Sequence, residues 1–574
     1  MKNRILIRIL FLSIQVFIIN AAHAQNYVWA KNMGSTGNDW GQDIKVDGSG
    51  NSYVIGYFSG TADFDPGAGI AILTSTGDDD IFIAKYDTSG NFLWAKRIGS
   101  TDTDRGLGLA VDVNGNAYVT GEYYGTVDFD PGAATANLTS IGLGDIFLAQ
   151  FNSSGNYQWA KSIGGVDYDT GNEITLDASG NLYLTGYFRE TTDFDPGAGT
   201  ANLTALGTHD IFLAKYNSTG NYLWAKAMGS TNNDEAYSVT LDGSGNSYIT
   251  GYFQGAADFD PGAGMAILTP VGVSDIFIAK YDASGNFLWA HNIGGTWVDV
   301  GSAIAVDGNG NTYLTGIFWQ TADFDPGAGT ANLTSAGAFD IFIAKYDASG
   351  NYLWAKNIGS TGSDVGDDIA LDDGGNFWIT GGFTGSVDFD SGAGTANLTS
   401  SGSEDIFFAK YSSTGDYLWA KAVGGTGQDE GTSIAVDGGG NTYLTGFFGG
   451  TADFDPGTNT ANLSPAGAYD IFIARYDAVP TSVSGLEAGD IGFSIQPNPV
   501  RNSTTVTISL VHPQTGSLKV FDVNGRLITT LADKMYISGE NKMVWDASGV
   551  NAGVYFLQFQ TKEKLYVEKI IVTK

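Results

Sequence analysis

The stretch DIFIAKYDTSGNFLWAKRIG, residues 80–99, decides how this chain folds. Two short runs rich in Ile, Phe, Tyr and Trp flank the punctuation TSGN. That is the composition of two strands on a pleated, half-buried surface, joined by a tight Gly/Asn turn. Close copies follow at a constant step of 65 residues, opened by Asp80, Asp145, Asp210, Asp275, Asp340, Asp405 and Asp470. Trp29, Trp94, Trp159, Trp224, Trp289, Trp354 and Trp419, each followed by Ala, keep the same step. A fixed period without insertions means one supersecondary unit repeated.

Working outward, QDIKVD, GSGN and SYVIGYF form a second hairpin upstream of the first, so each unit carries four strands. Seven units run from about residue 26 to 479, and none carries an apolar stripe at helical spacing. The pattern predicts an all-β chain: a seven-bladed β-propeller of 65-residue four-stranded repeats, in which radial repetition leaves short, protected sheet edges. A β-solenoid is the alternative. The first repeat is preceded by NYVWAKN, residues 26–32, a spare copy of an outer strand, and the repeats stop after IFIARYDA, a third strand. The N-terminal strand is therefore expected to complete the last blade.

DRGLGLAVDVNGNAYVTG (Asp104 to Gly121) and DIFIAKYDASGNFLWA (Asp275 to Ala290) resemble the SBBP group of bacterial β-propeller repeats. That resemblance implies a propeller and no particular activity, since fold does not imply function. After Ala478 the rhythm breaks. Residues 480–490 read as a linker, and residues 491–574 as a small β-sandwich. Its landmarks are IQPNPVRNSTTVTI, LKVFDVNGRLI, GVYFLQF and a KIIVTK end. Together these resemble the C-terminal sorting domain of the type IX secretion system of Bacteroidota. The resemblance implies an outer-membrane translocon as partner, and a secreted or outer-membrane-surface address.

Residues 1–24 carry Lys2, Arg4 and Arg8 ahead of an apolar run that ends in Ala22 and Ala24, the pattern of a signal peptide cut before Gln25. No other stretch is apolar and long enough to span a bilayer. There is no cysteine, so stability outside the cell must come from the core and the ring, not from disulfides. The formal net charge of −34 becomes −37 without the leader. That excess of acid argues against nucleic acid or an anionic membrane surface as partner.

Much of the acid lies in a second recurring motif, DFDPG, between the second and third strands. Its pairs are Asp63 and Asp65, Asp128 and Asp130, Asp193 and Asp195, Asp258 and Asp260, Asp323 and Asp325, Asp388 and Asp390, Asp453 and Asp455. The hairpin logic places these loops on the face opposite the GSGN and TSGN turns, with the Asp39 series of the loops between units. Carboxylates beside turn carbonyls could hold Ca²⁺. Against that, Asp before Pro-Gly commonly caps its own turn, and the spacing is not that of a known calcium loop. In the sixth copy Ser391 replaces the proline.

Aromatics that depart from the repeat, Trp40, Trp297 and Trp319, are candidates for a ligand surface, whereas the periodic Trp-Ala pairs suit packing between blades. No differentiated catalytic constellation is visible. Beyond the leader the histidines are His209, His291 and His512, at unrelated repeat positions. The sequence reads as a binding module that recognises glycan or protein through the acidic long-loop face. A carboxylate-based polysaccharide hydrolase or lyase and a structural matrix component are the alternatives.

Overall fold

A computed structural model describes residues 25–372, 374–478, 492–510, 514–522, 526–536, 539–561 and 565–573. The expected signal peptide and the 480–490 linker lie outside the described residues. The chain divides into two compact units, residues 24–478 and a C-terminal unit from residue 479.

In the larger unit the first repeat forms an antiparallel sheet in chain order: Asp39–Val46, Ser52–Phe58, Asp80–Tyr86 and Phe92–Ile98. The same order recurs in the next five repeats. In the seventh, Asp429–Val436, Thr442–Phe448 and Asp470–Ala478 are joined by Gln25–Met33 from the start of the chain. That strand takes the register of an ordinary fourth strand: Trp29 lies opposite Arg475 as Trp94 lies opposite Lys85. The first strands lie side by side in cyclic order, with Asp39–Val46 against both Arg105–Val111 and Asp429–Val436.

The turns explain why Gly and Asn recur. In the first hairpin Gly50 takes φ +80°, a conformation that glycine adopts without a Cβ penalty. Asp47 Oδ1 accepts the N–H groups of Ser49 and Asn51 across the same turn. The hydrophobic core sits between consecutive repeats. Ile55, Ile81 and Ile83 of the first repeat, for example, pack with Leu109, Val119 and Phe147 of the second. The periodic tryptophans work at these junctions too. Trp29 lies flat against Gly90 of the next repeat, where a Cβ would come within 2.8 Å of the indole, and its Nε1–H donates to Thr88 O at 3.1 Å.

The C-terminal unit has a three-stranded sheet (Gly492–Gln496, Ser503–Leu510, Gly539–Asp546) and a four-stranded one (Gln514–Asp522, Leu527–Tyr536, Gly553–Thr561, Leu565–Val572). Both contribute to one core around Val506, Leu518, Trp545 and Phe559. The PNP landmark clamps the terminal strand: Asn498 Nδ2 donates to Lys569 O at 2.9 Å, and its Oδ1 accepts the Ile571 N–H at 3.0 Å.

Candidate functional site

The DFD loops are built around their phenylalanine. Phe64 is fully buried, stacks edge-on against Phe58, and receives the Tyr86 hydroxyl on its carbonyl at 3.0 Å. The flanking acids tie the loop. Asp63 Oδ1 accepts the N–H groups of Asp65 (3.0 Å) and Ala71 (2.8 Å), and Asp65 Oδ1 accepts that of Gly67 (2.8 Å). The copy with Ser391 makes the same three bonds through Asp388 and Asp390. The tie therefore does not depend on proline. Among the described residues no group of three or more His, Asp or Glu side chains is arranged to hold a metal ion. Replacing Asp258 by Ala leaves two backbone N–H groups without their charged acceptor. The expected loss is about 1 kcal/mol at this partly exposed loop, measured by urea unfolding.

The loops carry a further task that the sequence did not suggest. Each DFD aspartate ends a short hairpin, and several of these hairpins pair with the fourth strand of the preceding repeat. Gly164 pairs with Asp193, Gly294 with Asp323, and Gly424 with Asp453. The hairpin is a latch between neighbours.

The Asp39 series is buried at the same end of the strands. Asp299 has no exposed surface; its Oδ2 accepts the Gly295 N–H at 2.6 Å and its Oδ1 that of Trp319 at 3.2 Å. Burial pushes its carboxyl up to about 7 against the pull of those two donors, and nearby Asp275 adds to the rise. Asp104, Asp169 and Asp429 are raised to about 7 for the same leading reason. A folded-state pKa above the unfolded value means that the native state binds the extra proton. This contribution is complete below about pH 4 and is lost as pH rises through 7. The thermal midpoint is expected to fall between pH 5 and 8, and Asp299→Asn to flatten that slope.

On the axis of the circle of first strands lies a cavity of about 430 Å³. A smaller one of about 120 Å³ shares Lys45, Glu173, Ser238 and Asp368 with it, so these residues form a belt between the two. Lys45 Nζ meets Asp43 Oδ1 at 2.7 Å. The belt acids also stitch neighbours. Asp43 accepts the Leu109 N–H (2.9 Å), Glu173 that of Val239 (2.7 Å) and Asp368 that of Ile434 (2.9 Å).

Beside this belt, the repeats stop being alike. Read at 65-residue steps, position 40 runs W, R, T, E, V, V, E and position 57 runs Y, E, Y, Y, I, G, F. These residues face one another across the first and second strands, as Trp40 does Tyr57. Trp40 packs against Phe447 at 3.9 Å and Tyr469 at 5.7 Å. Trp297 and Trp319 meet at 4.7 Å, with Trp297 39% exposed. The structure thus joins two of the three departing tryptophans and places the third in a separate aromatic cluster. It adds residues the sequence reading passed over: Tyr57, Asp367, Glu404, Glu430, Phe447 and Tyr469. Comparing the aligned columns for any departure, not for aromatic ones alone, would have found them.

Residues 494–573 match the model of the secretion system C-terminal sorting domain, and residues 93–122 match that of a β-propeller repeat. An uncharacterized WD repeat-containing protein of Acanthamoeba polyphaga mimivirus is 28% identical over 73% of this chain and 36% of its own length. Regulatory protein FlaEY of Caulobacter vibrioides is 26% identical over 70% of this chain and 42% of its own. The chain thus spans well under half the length of both relatives. The solved structure of PorZ, a surface component of the type IX secretion system of Porphyromonas gingivalis, aligns over 94% of this chain and 75% of that one. It does so at 14% identity with a TM-score of 0.23, too distant a likeness to bear on function. No helix among the described residues is long and apolar enough to cross a membrane. The chain carries a β-propeller repeat and a secretion-system C-terminal sorting domain, and the latter marks it for export to the cell surface or beyond.

Proposed function

We propose that this protein is a secreted or cell-surface binding module. In this reading residues 25–479 form a closed seven-bladed propeller, residues 1–24 are a cleaved leader, and residues 491–574 engage the type IX translocon after a 480–490 linker. The cyclic order of the first strands and the pairing of Gln25–Met33 with Asp470–Ala478 support the closed ring. The propeller recognises glycan or protein on the long-loop face, near the axis. One observation carries this: departures from the repeat gather at positions 37, 40, 42, 57, 59 and 79, while the DFD loops and buried aspartates hardly change. A surface under selection for one ligand differs between repeats, and a scaffold does not.

Trp297 and Trp319 supply the exposed aromatic face. Screening the mature protein on a glycan array should give a binder whose affinity falls roughly tenfold in Trp297→Ala, the loss typical of an aromatic anchor. Unchanged binding would remove these residues from the site. The DFD aspartates are loop ties in this reading. A Ca²⁺ titration is expected to leave the thermal midpoint unmoved beyond ordinary salt screening; a saturable rise, lost in Asp260→Asn, would make them ligands.

Carboxylate chemistry on polysaccharide is a second reading, favoured by the grouping of Asp367, Glu404 and Glu430. Burial raises each of them, and the nearby acids add to the rise of Asp367 and of Glu430. Release of reducing sugar, abolished in Glu430→Gln, would establish it.

A further inference from the structure

The sixth repeat departs most from the others near the axis. Where five repeats place Tyr, Phe, Ile or Glu, and the first Tyr57, the sixth has Gly382, and the Glu404 side chain occupies the space that a Cβ there would take. Glu404 reaches over this notch, held by Gln428 at 3.0 Å. Asp367 lies on the neighbouring strand beside Gly381, a position taken by neutral residues in the other six repeats. Glu430 comes from the seventh repeat, cross-strand from Phe447. Asp367 Oδ2 is shut off from solvent and meets no hydrogen-bond partner, although Asp367 lines the smaller axial cavity.

A buried carboxylate oxygen without a donor is costly, and two further carboxylates nearby make it costlier. Burial raises the Asp367 carboxyl, and the charges of Glu430, Glu404 and Asp368 push it further in the same direction. An aromatic wall adjoins: Phe447 touches Trp40, and Tyr469 donates to Gln428 Oε1 at 3.2 Å.

We infer that the notch formed by Asp367, Glu404 and Glu430, walled by Phe447 and Trp40, binds the alkylammonium group of a ligand. The inference rests on the reading of the long-loop face as a binding surface. Two features select an ammonium over other cations. Carboxylates supply the acceptors that an –NH₃⁺ group needs, and aromatic faces attract cations. The neighbouring belt already sets an ammonium against a carboxylate, Lys45 against Asp43. A free amine or an exposed lysine of a protein could supply the group.

The test uses the mature full-length protein and calorimetric titration with cadaverine, which copies a lysine side chain. A parallel titration uses a peptide carrying one lysine, with its acetyl-lysine form as control. Saturable cadaverine binding is expected, weakened at least tenfold in Asp367→Asn and in Glu430→Gln. Glu404→Gln serves as a third variant should either fail to fold. Tighter binding of the peptide than of cadaverine would assign the ammonium to a protein partner; the reverse would assign it to a small amine. Either requires that acetylation abolish binding. Absence of saturable binding, binding unchanged in the folded variants, or tighter binding of Ca²⁺ at the same residues would overturn the inference. Glycan binding that survives Asp367→Asn and is lost in Trp297→Ala would leave the broader binding role standing while this assignment fell.

Discussion

A chain lacking residues 25–33 is expected to lose its cooperative thermal transition or to melt far below the parent. The deletion strips the third strand of the seventh repeat, Asp470–Ala478, of its pairing with Gln25–Met33. It also removes Trp29, Ala30 and Met33 from the cores on either side, where Trp29 is 7% and Met33 1% exposed. A buried Trp truncated to Ala alone costs roughly 3–5 kcal/mol, and here an edge of unpaired backbone is added. Total stability of a domain is typically about 5–15 kcal/mol, so the loss is a large fraction of it. Calorimetry of the two chains is the measurement. A transition as sharp and as high as the parent's would show that the strand is dispensable. Adding a peptide of residues 25–33 in trans should recover part of the lost midpoint, in proportion to its concentration.

Phe259→Ala is expected to destabilise by about 3–5 kcal/mol, several times the cost of replacing the aspartate beside it. Phe259 is fully buried, stacks on Phe253 and Phe277, and takes the Tyr281 hydroxyl on its carbonyl at 2.9 Å. Removing the ring opens a cavity in the core between repeats and frees the hairpin that latches to the third repeat through the Gly229–Asp258 bridge. Urea unfolding should show the midpoint falling further for Phe259→Ala than for Asp258→Ala. The opposite ranking would make the acids the essential part of the motif and the phenylalanine its accessory.

The contrast shows how much the sequence can say. Period, strand count and the spare N-terminal strand were legible because alternation and turn chemistry act locally, within a few residues of Gly50 or Asn51. The roles of the DFD residues were less so. Two acids around one Phe draw the eye to charge, yet the Phe anchors the loop and the acids bond to N–H groups within eight residues of themselves. The latch was invisible, since Gly164 and Asp193 are distant in sequence and nothing in either announces the other. Trp297 and Trp319 stood out because tryptophan is rare; Gly382 did not, although the absence of a side chain there shapes the acidic notch. Glycine among 81 glycines carries no signal until its column is aligned.

The pairing of Gln25 with Ala478 also has a bearing on synthesis and export. The ribosome makes this strand ahead of every repeat and its partner at the end of the last one, so the two cannot meet until some 450 residues have followed it out of the tunnel. Contacts of such sequence separation form late, after the local hairpins. Until then the leading strand has no permanent neighbour and the growing chain no complete set of repeats. A chain exported from its N-terminus therefore delivers the missing piece ahead of the repeats it finishes, and completion of the last sheet becomes a report that the chain has arrived as far as Ala478.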